Sequence, residues 1–257
     1  MIRIVVRAAV FSTILSATPV GAHHTPLPAD MGEIQATWLW GLYTVPASIT
    51  VDNSPYWYSY LHTEVDRINN PAWTEVAGKH IRPGAKAPAV LLLHGCAGLA
   101  RGPDALRVFL MRQGYAIFEP DSFARPGRSC NRTTLFKRTE ELAYALEMIR
   151  QLSWVDRERI ALIGVSQGGA AVAQWGEPGF SAHIILADNC GGEKPAAPGD
   201  TPVLVIVGEK DVLSRGVNCD IRSHSGRSSL VIIPEAGHEV TDVPETLTFI
   251  SEFLNQP

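Results

Sequence analysis

Several features that would point to a cofactor or a nucleic acid are missing from the sequence. It has no Gly-x-Gly-x-x-Gly fingerprint and no P-loop, so nothing in it supports a nucleotide cofactor. The four cysteines include no Cys-x-x-Cys pair, which argues against a zinc site or a thioredoxin-type redox motif. Basic residues are outnumbered, 22 against 26 acidic ones, and form no stripe. With a net charge of −4, nucleic acid and anionic membrane surfaces are poor partners. There is no internal repeat and no low-complexity tract. No apolar run is long enough for a membrane span; the one near the N-terminus, Ala8 to Leu15, is broken by Ser12 and Thr13. What remains is an ordinary globular composition, 46% apolar and 19% charged over 257 residues, enough for a sizeable core.

Three segments differ in character. Arg3 and Arg7, the short apolar run and the small residues Val20-Gly21-Ala22 predict a signal peptide over 1–22 and a secreted or periplasmic mature chain with no membrane span. Residues 23–85 read as an extension. It opens with a flexible leader, whose His23 is at most a copper ligand at a new N-terminus. It also holds Trp38, Trp40, Trp57 and Trp73 with Tyr43, Tyr56, Tyr58 and Tyr60. Short strands are expected across Thr37 to Val51. Ser54-Pro55 predicts a helix start running to about Ile68. The aromatics are expected to clamp this arm onto a main sheet or, alternatively, to line a substrate groove.

From Lys86 to the end, 86–257, strands and helices alternate. Apolar runs at Ala89–Leu93, Tyr115–Glu119, Ile160–Ile163, His183–Ala187, Val203–Val207 and Leu230–Ile233 read as buried strands. Helices are expected at Pro103–Gln113, Leu135–Leu152, Gly168–Trp175 and Pro244–Leu254. This alternation implies right-handed crossovers and one mostly parallel sheet flanked by helices, an α/β fold.

In such a sheet, chemistry gathers at the carboxyl ends of the strands. Ile160–Ile163 runs into Gly164-Val165-Ser166-Gln167-Gly168, the strand–turn–helix pattern of a nucleophile elbow. Val203–Val207 is followed by Asp211, with Glu209 as a rival carboxylate, and Leu230–Ile233 by His238. A serine hydroxyl is a poor nucleophile until an imidazole takes its proton, and a carboxylate on the other ring nitrogen fixes the tautomer. The expected roles are Ser166 as nucleophile, His238 as general base and acid, and Asp211 as orienting carboxylate. The N–H groups of Gln167 and Cys96 are expected to bind the developing oxyanion.

These residues, with Leu92-Leu93-His94-Gly95-Cys96-Ala97-Gly98 and Pro120-Asp121-Ser122-Phe123, make 86–257 resemble the dienelactone hydrolase family of α/β-hydrolases. The resemblance implies an α/β-hydrolase fold and cofactor-free, metal-free hydrolysis of small-molecule carboxylic esters or lactones. Ser166 stands where the founding members carry cysteine, which favours a general esterase. A peptidase or acyltransferase on the same residues, and a binding protein that kept the fold, are the alternatives. Four cysteines allow three pairings, or free thiols. Cys96–Cys130 and Cys190–Cys219 are preferred because each pair would staple two loops at the strand ends. Asp188 to Thr201 is too short for a helical lid, so no large lid and an open cleft are expected. The loops around Phe123, Arg125 and Asp188–Cys190 would shape the acyl pocket. Arg128 reads as a surface residue, with a substrate carboxylate as its alternative ligand. Oligomeric state is not readable.

Overall fold

The computed structural model describes residues 32–59, 79–99, 102, 104–125, 127–214, 219–221 and 224–256. The expected signal peptide at 1–22, the leader from His23 and the stretch 60–78 lie outside the described residues.

Eight strands form one sheet in the order β2-β1-β4-β3-β5-β6-β7-β8. They are β1 (Leu42–Val45), β2 (Tyr56–Ser59), β3 (Ala87–Leu93), β4 (Ala116–Glu119), β5 (Val155–Val165), β6 (Ala182–Leu186), β7 (Val203–Gly208) and β8 (Ser229–Ile233). All pairings from β4 to β8 are parallel, and β1 joins antiparallel to both β2 and β4. The helices are α1 (Glu33–Leu39), α2 (Asp104–Arg112), α3 (Arg132–Gln151), α4 (Gln167–Gln174) and α5 (Pro244–Leu254).

The continuous apolar runs of β3 to β7 are buried on both faces. The run at Leu230–Ile233, expected to be buried, is not: β8 is the edge of the sheet and leaves Leu230 and Ile232 exposed on its outer face. Along β3, Ala89, Leu91 and Leu93 pack with Leu142, Ala145 and Ile149 of α3 and with Val172 of α4. Val90 and Leu92 point the other way, among Leu106 and Leu110 of α2 and Ile250 and Phe253 of α5. A period of two along each strand thus fills two separate cores. Local signals set the helix ends. Asp104 and Arg112 complement the dipole of α2, and Pro244 opens α5.

The aromatic arm differs from expectation in detail. Residues 37–39 close α1 instead of opening a strand, and Tyr56–Ser59 is a strand instead of a helix start. The cause is tertiary. Trp38 stacks on Phe118 of β4 at 5.9 Å, Phe118 stacks on Trp154, and the Tyr43 hydroxyl donates to the Trp38 carbonyl. Ring burial of this kind outweighs local propensity. Trp38 and Tyr43 both lie against Phe118 of β4, and β1 and β2 extend the sheet by two strands. Among the described residues no helix is long and apolar enough to cross a membrane. Between β6 and β7 stand only one short 3-10 turn, Cys190–Gly192, and loop.

Candidate active site

The elbow is built by close packing. Ser166 sits at φ 54°, ψ −119°, a backbone conformation rare for any residue with a side chain. It is held there by glycines on either side. A Cβ on Gly164 would lie 2.2 Å from the Gly168 carbonyl oxygen, and one on Gly168 would lie 2.2 Å from that of Leu93. The Ser166 N–H donates to Leu186 O at 2.8 Å, tying the turn to the end of β6.

The loops after β7 and β8 meet in the same manner. A Cβ on Gly208 would strike the Gly237 carbonyl at 2.1 Å, so only glycine lets the loop carrying His238 close down on β7. The result brings three distant side chains into line. His238 Nε2 lies 2.9 Å from Ser166 Oγ, and His238 Nδ1 lies 2.8 Å from Asp211 Oδ2. A carboxylate only accepts, so Nδ1 carries the proton and Nε2 is free to accept from the serine hydroxyl.

Asp211 is nearly fully buried. Burial pushes its carboxyl up, but hydrogen bonds from His238, Ser214 and the Leu213 N–H outweigh that and leave it below the usual carboxylate range. Glu209 is used elsewhere, accepting from the Glu235 N–H at 3.0 Å. That removes it as the partner of His238.

A cleft of about 310 Å³ opens over Ser166 and His238, bounded by Gly95, Cys96 and Ala97 on one side and by Leu213 on the other. A Cβ on Gly95 would lie 3.8 Å from Ser166 Oγ, so the main chain of this loop runs past the hydroxyl. Gln167 begins α4, where the first amides have no partner within the helix. The disulfides join Cys96 to Cys130 and Cys190 to Cys219, with Cα–Cα distances of 4.8 and 5.3 Å.

Behind the cleft lies a buried polar network that the sequence did not reveal. His94 is fully buried, and its Nε2 accepts from the Ser122 N–H at 3.1 Å. Nδ1 must then carry the proton, 2.8 Å from the Gly95 carbonyl. Burial first, and the Arg138 charge second, hold the His94 pKa down to about 3, so the ring is neutral. Arg138 of α3 donates to the His94 carbonyl at 2.6 Å. Glu141 accepts from Ser122 Oγ at 2.5 Å and pairs with Arg125 at 3.1 Å. Arg125 is therefore committed to the core, not to an acyl pocket. Phe123 packs edge-on against the His94 ring, and Arg128 reaches Glu33 at 3.7 Å.

Asp188, just past β6, is a further titratable group near the site. Burial raises its carboxyl to about 6, partly offset by the Cys190 N–H, which donates to it at 2.7 Å, and by His238. Its position after a strand end is the signal that could have marked it. Among the described residues no group of three or more His, Cys, Asp or Glu side chains is placed to hold a metal ion.

No protein-family model matches the chain, and no curated protein matches it. Solved structures do. The fold is that of the α/β-hydrolases. An esterase from Pyrobaculum calidifontis superposes with a TM-score of 0.53 at 17% identity, covering 68% of this chain and 76% of that one. Esterase PE8 gives 0.50 at 19% identity, over 66% and 93% of the two chains. DcsB, solved with its substrate analogue, gives 0.51 at 16% identity, over 66% and 90%. At these identities the likeness is one of fold.

Proposed function

We propose that the chain is an exported serine hydrolase that cleaves small carboxylic esters through an acyl-enzyme. One observation carries the reading: the unbroken hydrogen-bond chain from Ser166 Oγ through His238 to buried Asp211, at 2.9 and 2.8 Å. Ser166 attacks the ester carbonyl as His238 Nε2 takes its proton, and His238 returns that proton to the leaving alcohol. Asp211 holds the tautomer and stabilises the imidazolium. The N–H groups of Gln167 and Cys96 receive the oxyanion, and a water activated by His238 then releases the acid. The esterase names of two fold neighbours agree with an ester substrate. So does the resemblance to dienelactone hydrolases, which also keeps lactones in range. Export is supported by the sequence of the first 22 residues and by two disulfides.

The test is labelling by a fluorophosphonate together with turnover of short p-nitrophenyl esters and matched amides. Ser166→Ala should abolish labelling and lower kcat by about 10³–10⁶ while the melting temperature holds. Faster turnover of amides than of esters would favour the peptidase reading. Wild-type protein that neither labels nor turns over would leave a binding protein with a hydrolase fold.

A further inference from the structure

The two residues assigned to the oxyanion hole lie 71 positions apart and come from different strand ends. Yet both reach the same dipeptide. Cys96 is bonded through sulfur to Cys130, and Gln167 Nε2 donates to the Asn131 carbonyl at 2.9 Å. That dipeptide leads directly into α3, whose Arg138 holds the His94 carbonyl two residues before Cys96. We propose that the Cys130–Asn131 turn is a positioning brace for both oxyanion donors, and that its exposed disulfide makes turnover sensitive to dithiols. The proposal rests on the hydrolase reading above.

The two bridges differ in exposure. Cys190 and Cys219 are 8% and 6% exposed, and neither lines the cleft. Cys96 and Cys130 are both exposed, and Cys96 lines the cleft directly. Exposed disulfides are the ones that exchange readily. A dithiol thiolate attacks one sulfur of the Cys96–Cys130 bridge to give a mixed disulfide, and its second thiol displaces the enzyme sulfur. The enzyme gains two electrons and two protons as two cysteine thiols, and the reagent leaves as a cyclic disulfide. The peptide bearing the Cys96 N–H then loses its tie to the Cys130–Asn131 turn and is held only on its Gly95 side, where the carbonyl accepts from His94 Nδ1 at 2.8 Å and from the Gly98 N–H at 3.2 Å. Displacing a preorganised donor, short of removing it, should lower kcat by about 10–100-fold.

Full-length protein treated with dithiothreitol at neutral pH, then alkylated and digested, should show modification confined to Cys96 and Cys130. At that point kcat for p-nitrophenyl acetate should have fallen about 10–100-fold with KM within about threefold, and reoxidation should restore it. The double variant C96S/C130S should show the same low kcat and no response to dithiol. Gln167→Met, which leaves both bridges in place, should lower kcat in the same direction. Combined with C96S/C130S, it should give less than the product of the separate losses, because both ties serve one turn. A bridge that is merely structural would lower the melting temperature and leave kcat of the folded protein untouched. Wild-type kcat in folded C96S/C130S, or in wild-type protein reduced and alkylated at Cys96 and Cys130, overturns the proposal. Oxidised wild-type protein that fails both to turn over and to label at Ser166 instead overturns the hydrolase reading beneath it.

Discussion

An alanine at position 168 tests the packing that makes the elbow. Its Cβ would sit 2.2 Å from the Leu93 carbonyl oxygen and 2.8 Å from that of His94, where ordinary contact begins near 3.4 Å. The obstructing atoms are main chain of β3 and of the loop that follows it, so no side chain can rotate away. The start of α4 must therefore retreat by about 1 Å, because a packed interior has no slack of that size. Overpacking of this kind costs roughly 1–3 kcal/mol, which for a chain of this length lowers Tm by roughly 3–10 °C. The retreat carries Ser166 and the Gln167 N–H away from the Cys96 loop. A misplacement of about 1 Å can lower turnover about 100-fold. Thermal melts followed by circular dichroism, with ester kcat on the folded protein, give both readouts. Gly226→Ala is the control, since nothing lies within 4 Å of its added Cβ. It should stay within about 0.5 kcal/mol of wild type. Wild-type melting and turnover in Gly168→Ala would refute the packing argument.

Three further outcomes follow from buried groups. His183 on β6 is 1% exposed, and burial first, then the neighbouring His224, hold its pKa down to about 4. Unfolded, it binds its proton near 6.5, so between pH 6.5 and about 4 the unfolded state holds more protons and stability falls as pH falls. The slope from this residue is at most about 1.4 kcal/mol per pH unit, and His183→Leu should flatten the decline in melts taken from pH 7 to 4. Arg107 pairs with fully buried Glu119 at 2.8 Å, and burial already raises that carboxyl to about 7. Losing Arg107 removes the charge that holds this carboxyl down, so Arg107→Met should cost about 3–5 kcal/mol at pH 8, where the orphaned carboxyl must either stay charged or take up a proton on folding, and less at pH 5, where it is protonated with little cost; pH-dependent melts read the difference. Removing the buried Cys190–Cys219 bridge, which spans 29 residues, should cost about 3–4 kcal/mol in the chain-entropy model. That loss should appear in denaturant midpoints.

Much of the core was legible because parallel strands buried on both faces leave an unmistakable apolar run. The α5 helix, Pro244–Leu254, carries its own start signal and an apolar stripe, and its bounds match the expected ones. The arm was misread where local signals competed with packing. Trp38 and Leu39 have strand-forming neighbours, but Trp38 finds its place by stacking on Phe118 across the sheet. Ser54-Pro55 looks like a helix cap, but the aromatic run Tyr56–Ser59 pairs with β1. Arg138 and Glu141 went unnoticed because charged residues on a helix normally face water. Here they are buried to satisfy a loop carbonyl and a serine hydroxyl.

Taken alone, the sequence determined the kinds of residue that follow each buried strand and their order along the chain. Those are local properties, since an apolar run and the glycines after it fix a strand end wherever the rest of the chain lies. Only the tertiary structure decided which groups meet: Asp211 and not Glu209 on the imidazole, Cys96 with Cys130, Gln167 with Asn131. Each such choice is a distance between segments that sequence spacing does not encode, set by how two cores pack against the faces of one sheet.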